Sequence, residues 1–146
     1  MKKKIAILGS TGSIGKTLIK IINKDKKNFD IILLTAEKNY KEIYEQAKIF
    51  NVKNIIITNK KSFNELKKKK LGKIKIFNNF NSFNNIFKNK IDYAMSAISG
   101  IHGLEPTIRI IKHTKKIAIA NKEAIICGWH LIKNNLRRYK TKFVPV

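Results

Sequence analysis

The chain is short of cysteine, of proline and above all of acidic residues, and each shortage excludes something. A single cysteine, Cys127, among 146 residues leaves no internal disulfide framework and no cysteine-built metal site. With one thiol and no bridge, a reducing cytoplasm is the expected location. No apolar run approaches the roughly 18 residues of a membrane-crossing helix, so no membrane partner is expected. Met1-Lys2-Lys3-Lys4 resembles the basic start of a signal peptide, but the apolar stretch behind it ends at Leu8 in a glycine loop. Two prolines and no serine-rich stretch leave no linker, so residues 1–146 read as one continuous domain. The three histidines, His102, His113 and His130, lie far apart and fit no zinc spacing. Nine acids against 32 lysines and arginines give a net charge of +23, which raises the question of a nucleic-acid partner. That charge is nearly all lysine and is scattered over every element. Together with abundant asparagine and isoleucine, it reads as AT-rich codon usage rather than a recognition stripe. No specific nucleic-acid partner is expected.

What the chain does have is alternation. Strand-like runs cover Lys4 to Leu8, Asp30 to Thr35, Asn54 to Thr58, Lys73 to Phe77, Tyr93 to Ala97, Lys116 to Ala120 and Lys142 to Val146. Between them, apolar residues recur at helical spacing: Ile14, Leu18, Ile21 and Ile22; Tyr40, Ile43, Ala47 and Phe50; Leu104, Ile108 and Ile111; Ile125, Trp129, Ile132 and Leu136. Pro106 falls in a first helical turn, where a missing N–H costs nothing. The stretch from Asn59 to Lys90 is the least regular; Lys67 to Lys70 suit a helix C-terminus, and a helix is expected within Asn78 to Asn89. Short apolar strands alternating with helices predict an α/β fold. It is a Rossmann-like, doubly wound and mainly parallel sheet, with helices on both faces and Lys4 to Leu8 in its interior.

The most informative stretch is Ile5-Ala6-Ile7-Leu8-Gly9-Ser10-Thr11-Gly12-Ser13-Ile14-Gly15. An apolar strand runs into glycines spaced G-x-x-G-x-x-G, and an amphipathic helix follows at once. In a dinucleotide site Gly9 makes the turn, Gly12 removes the Cβ that would block a pyrophosphate, and Gly15 lets helix and sheet approach. Ser10, Thr11 and Ser13 add hydroxyls. The plain alternative is a glycine-rich turn that binds nothing. Two more loops end predicted strands. Ala36-Glu37-Lys38-Asn39 lies about 20 residues past the glycines, where an acid suits NAD and a cation suits the 2′-phosphate of NADP. Glu37 and Lys38 pull that choice in opposite directions. Asn121-Lys122-Glu123 opens the last helix, where Asn121 suits an N-cap and Glu123 a first-turn acid as well as either suits a ligand. Small residues from Ser96 to Gly100 leave room for a ring or ribose, and His102 borders them. Cys127 and Trp129 read as core.

Taken together, these loops resemble the amino-terminal domain of the 1-deoxy-D-xylulose 5-phosphate reductoisomerases. The resemblance rests on Ile7 to Gly15, Ala36 to Asn39, Ala97 to Gly100 with Gly103-Leu104, Ala120 to Glu123, and Pro145-Val146, in the family's order and near its spacing. It implies NADPH as cofactor, with Thr11, Gly12, Ser13 and Ile14 at the pyrophosphate, Gly9 and Gly15 in the same cofactor-binding turn, and Lys38 and Asn39 at the 2′-phosphate. Asn121 and Glu123 would face the cofactor near the nicotinamide, and Lys122 would act catalytically on the substrate. It further implies a homodimer, 1-deoxy-D-xylulose 5-phosphate as substrate, and rearrangement with reduction to 2-C-methyl-D-erythritol 4-phosphate in non-mevalonate isoprenoid synthesis. Glu37 and His102 stand where the family has small residues. The family's divalent metal, Mg or Mn, is held by an Asp-Ser-Glu segment that follows Pro-Val, so residues 1–146 are expected to bind cofactor without catalysing. A nucleotide-sugar or semialdehyde dehydrogenase domain shares the glycine loop but does not explain Asn121-Lys122-Glu123. A basic nucleic-acid-binding module rests on charge alone.

Overall fold

The computed structural model describes all 146 residues. Seven strands alternate with helices: β1 Lys3–Leu8, α1 Ser13–Asn23, β2 Phe29–Ala36, α2 Tyr40–Ile49, β3 Asn54–Ile57, α3 Lys60–Lys67, β4 Lys75–Phe77, α4 Phe83–Ile86, β5 Tyr93–Ser96, α5 Leu104–Ile111, β6 Lys116–Ile119, α6 Lys122–Tyr139 and β7 Lys142–Val144. They form one sheet in the order β4-β3-β2-β1-β5-β6-β7. Every pairing is parallel. The strand order runs outward from β1 in one direction and then restarts on its other side at β5, which makes this a doubly wound sheet with its switch point between β1 and β5. The expected fold class is therefore the observed one, and β1 is interior.

Side chains alternate across the sheet, so each strand serves two cores. Ala6 and Leu8 of β1, Ala94 of β5 and Ile117 and Ile119 of β6 pack with Phe83, Ile110, Ile111, Ile132 and Leu136 of α4 to α6. Ile5 and Ile7, with Ile31, Leu34, Ile55 and Ile57, pack on the other face with Ile22, Ile43 and Ala47 of α1 and α2. Each fully buried isoleucine or leucine contributes roughly 1.5–3 kcal/mol over its exposed state. A bulge breaks the β1–β2 register between Ile5 and Ala6. The displaced Ile32 carbonyl accepts a hydrogen bond from Asn54 Nδ2 at 3.0 Å, so the bulge leaves no orphan acceptor there.

Helix boundaries follow local chemistry. Asn39, Asn59 and Asn121 cap α2, α3 and α6, each accepting from a first-turn amide. Gly12 opens α1 with no side-chain cap. The lysine run Lys67 to Lys70 begins in the last residue of α3, where its charge complements the helix dipole.

Several expectations need correction. Ile14 and Ile21 are 44% and 58% exposed, because Ile22 and Gly15, not the whole expected stripe, face the sheet. Trp129 is 39% exposed and packs its ring edge on Phe143 at the sheet margin. Cys127 is exposed, since α6 buries Ala124, Gly128, Ile132 and Leu136 at strict four-residue spacing instead. The helix expected within Asn78 to Asn89 is only the single turn of α4 behind a 3₁₀ turn at Phe80–Ser82. Strand β7 ends at Val144 rather than Val146.

His113 lies against Phe83 and Phe87, with Nε2 buried and unpartnered. Loss of water, helped by the charge of Lys112, lowers its pKa from 6.5 to about 4. Between these values the unfolded chain binds a proton that the folded chain refuses. Stability is thus complete above pH 6.5 and falls as the pH drops toward 4. Thermal unfolding of the wild type should shift down between pH 7 and pH 5, and His113→Leu should flatten that slope; equal slopes would remove His113 from the account.

Candidate functional site

At the carboxyl ends of β1, β2 and β5 the loops enclose an open crevice of about 440 Å³. Its lining includes Gly9, Thr11 and Gly12 of the glycine turn, Thr35 and Ala36 at the end of β2 with Glu37 just beyond, and Ala97, Ile98, Ser99 and His102 after β5. Thr58 and Phe80 close the remaining side.

The three motif glycines differ in what they do. Gly9 has φ +81°, and a Cβ there would meet the Ala97 carbonyl oxygen at 2.7 Å. Turn and strand end touch backbone to backbone, so position 9 takes glycine for internal reasons. Gly15 likewise presses on Gly9 and Ser10, and a Cβ would strike their backbone. Gly12 is different. Its φ of −76° suits any residue, and an added Cβ would come no nearer than 3.6 Å to the chain. Nothing inside the protein requires a glycine there. The space that a side chain would fill is open crevice at the uncapped start of α1, a cradle that suits an anionic group.

The turn is held from below. Thr35 Oγ1 accepts from Gly9 N–H at 3.0 Å, and the Thr35 carbonyl accepts from Ser10 N–H at 2.9 Å. Ser10 is fully buried and its hydroxyl also donates to that carbonyl, so it faces away from the crevice, contrary to expectation. Gln46, on the buried side of α2, donates through Nε2 to the Ser10 carbonyl at 3.1 Å. Thr35 and Gln46 are supports that the motif spacing does not single out. The available signals were a polar residue ending an apolar strand and a glutamine amid the Ile43–Ala47 stripe.

The remaining expected site residues are spread around the rim. Ser13 and Ile14 lie exposed in the first turn of α1. Lys38 is exposed just beyond Glu37, and Asn39 caps α2 while its Nδ2 donates to Glu42 at 3.0 Å. Lys16 adds an ion pair to the same Glu42 at 3.3 Å. Lys122 and Glu123 project from the first turn of α6, exposed and outside the crevice lining. Asn121 is 4% exposed, and every polar atom of its side chain is used. Its Oδ1 accepts from Ala124 N–H at 3.0 Å, and its Nδ2 donates to the carbonyls of Ile98 and, at 2.6 Å, Gly100. Asn121 thus clamps the loop that forms one crevice wall. His102 borders the crevice as expected, while His113 and His130 do not. No three His, Cys, Asp or Glu side chains gather closely enough to hold a metal ion.

A doubly wound parallel sheet with a glycine turn at its switch point defines a Rossmann-type domain. A family model described as 1-deoxy-D-xylulose 5-phosphate reductoisomerase matches residues 5–128. The chain belongs to the 1-deoxy-D-xylulose 5-phosphate reductoisomerase family. The enzyme of that name from Pelagibacter ubique is 63% identical over 147 residues, covering 99% of this chain and 38% of the relative. Among solved structures, the Zymomonas mobilis reductoisomerase in complex with NADPH matches 99% of this chain and 38% of its own, at 29% identity and a TM-score of 0.90. A reductoisomerase in complex with NADPH, fosmidomycin and magnesium shares the fold at 24% identity and a TM-score of 0.88, over 98% of this chain and 36% of its own. The chain therefore spans less than two-fifths of the length of these relatives.

Asn121→Ala should destabilise the domain by about 2–3 kcal/mol, because it removes a cap and leaves two carbonyls without donors. Asn121→Asp keeps the cap but sets a carboxylate against the same carbonyls, and chemical denaturation should show it no more stable than the alanine variant. A stable aspartate variant would reduce Asn121 to a cap.

Proposed function

We propose that this chain is the cofactor-binding part of a 1-deoxy-D-xylulose 5-phosphate reductoisomerase and binds NADPH in the crevice at the switch point. The observation that carries the reading is Gly12, a glycine that the fold itself does not need, at the mouth of the crevice and the start of α1. The amides of Thr11, Gly12, Ser13, Ile14 and Gly15 would receive the pyrophosphate, with Gly9 setting the turn. Lys38, whose ammonium makes no ion pair within the chain, would meet the 2′-phosphate beside Asn39. Asn121 would act on the nicotinamide side through the Ile98–Gly100 loop that it holds, with Glu123 nearby. When bound, NADPH supplies the hydride that reduces the rearranged sugar phosphate. Lys122, also unpaired, would reach the substrate and stabilise developing oxygen charge.

A divalent ion does not fit these residues alone, so its ligands in the family's reaction would come from beyond them. The whole enzyme's rearrangement and reduction, its homodimer and its cytoplasmic location belong to the same proposal. Any association with nucleic acid would be non-specific and would weaken steeply with salt, since scattered lysines neutralise phosphates without reading bases.

Calorimetry with NADPH and NADH tests the reading. Gly12→Asp gives α1 a side-chain cap and a favourable first-turn charge, so thermal stability should hold or rise. The same carboxylate fills the anion cradle, and NADPH affinity should fall at least tenfold. Parallel losses in both measurements would make Gly12 structural. Lys38→Ala should cost NADPH about 1.5–3 kcal/mol and leave NADH unchanged; an unaltered NADPH/NADH ratio would hand that corner to Glu37. With substrate and Mg²⁺ or Mn²⁺ supplied, NADPH oxidation by the 146-residue chain should stay at background, and turnover would place the catalytic groups within it.

A further inference from the structure

Of the chain's five ion pairs, three join residues only three or four positions apart. Lys16–Glu42 is different. It links the first turn of α1 to the first turn of α2, the helices that follow Gly12 and Glu37 of the crevice lining. One oxygen of Glu42 serves two donors: Oε2 lies 3.3 Å from Lys16 Nζ and accepts from Asn39 Nδ2 at 3.0 Å. In a capping box that carboxylate would turn back to the backbone N–H of the N-cap residue. Here it takes the side-chain N–H instead, while the cap itself is made by Asn39 Oδ1 and the Glu42 N–H at 3.2 Å. An ammonium and an amide converging on one anionic oxygen form a donor set that a phosphate also takes. This set stands just past the end of β2, where a dinucleotide's adenosine ribose lies in a doubly wound sheet.

We propose that the Glu42 carboxylate stands in for the cofactor's 2′-phosphate. It holds Asn39 and Lys16 until that phosphate displaces it, and Lys16 then joins Lys38 as a second cation on the phosphate. The proposal rests on the cofactor reading and adds to it a competitor and a further binding residue. The exchange is easy, because the Lys16 and Glu42 side chains are 48% and 30% exposed and an exposed pair holds its partners weakly. The phosphate monoester carries more charge than a carboxylate and takes both donors. Once displaced, Glu42 remains on the same helical turn and repels the phosphate, so it weakens NADPH selectively. NADH carries a hydroxyl at that point and meets neither the second cation nor the repulsion. Glu42 therefore sets how strongly this corner prefers the phosphorylated cofactor.

The test is calorimetry with NADPH and NADH on two variants that break the same bridge. Glu42→Gln should bind NADPH about threefold more tightly, the scale of one exposed ion pair. Lys16→Gln should bind it about fivefold more weakly, the scale of one charge-assisted contact. NADH affinity should be unchanged in both. Glu45→Gln removes the same charge from α2 at a residue paired with Lys48, and should alter neither cofactor. Thermal melts check that each variant is folded. If the bridge serves only to tie α1 to α2, both variants shift NADPH affinity in the same direction, and that result overturns the proposal. Equal shifts for NADPH and NADH also overturn it, because the effect would then be one of overall charge. A wild-type chain that binds neither dinucleotide overturns the cofactor reading and this proposal together. Wild-type binding of NADPH with same-direction shifts in the variants overturns this proposal alone.

Discussion

The structure depends on a backbone contact between the turn at Gly9 and the end of β5 at Ala97. A Cβ at position 9 has no room there. Because the two segments touch, β1 and β5 remain neighbours to their carboxyl ends while the segments leaving them diverge to opposite faces. That divergence is the crevice. The Ala97 amide donates to the Leu8 carbonyl at 2.9 Å and continues the ladder to the rim, so the floor is hydrogen-bonded backbone and not mobile side chain. The supports beneath it, Thr35 and Gln46, come from β2 and α2, outside the glycine turn they hold. A site built this way is set before a ligand arrives, the condition under which oriented amides act most strongly.

Much of this was legible in the sequence, for identifiable reasons. Strands buried on both faces become runs such as Ile5 to Leu8 and Asn54 to Ile57, and no helix offers that pattern so briefly. The glycine triplet declared its place because two of its members answer to sterics inside the chain. Helix faces were harder to read. Spacing allowed Ile14, Ile21 and Trp129 as core, but α1 sits at the margin of its sheet face and α6 lies beside the edge strand β7, so part of each apolar stripe meets solvent. Asn121 shows a different limit. Asparagine at a helix start suggests a cap, yet the two carbonyls held by its other end lie 21 and 23 positions earlier, beyond any local pattern. Serine at position 10 suggested a ligand hydroxyl, but the turn rotates it into the protein.

The surplus of lysine shapes the surface without deciding the fold. Several ammonium groups lie over aromatic rings, as Lys48 and Lys69 do on Tyr44 and Lys67 on Phe63, where their carbon stems cover apolar area. The few acids are placed economically: Glu42 ties Lys16 of α1 to the start of α2, and Asp92 joins the entry of β5 to β1. Hydrogen bonding from the Lys4 amide holds the Asp92 carboxyl below its ordinary range. That junction keeps its negative charge well into acid.

Asp92 and Lys4 are 88 positions apart, whereas β1 and β2 meet across a single α-helical crossover. The two walls of the crevice are therefore joined to β1 across very different lengths of chain. β1 to β4 can assemble through short loops, and Asn121 can tie its own loop within the β5-to-β7 half. The crevice exists only after that second half docks on β1, the step with the greatest loop-closure entropy. A ligand spanning the switch point would brace a joint closed across a long stretch of chain, and hydrogen exchange would register it as protection passing from β1 into β5.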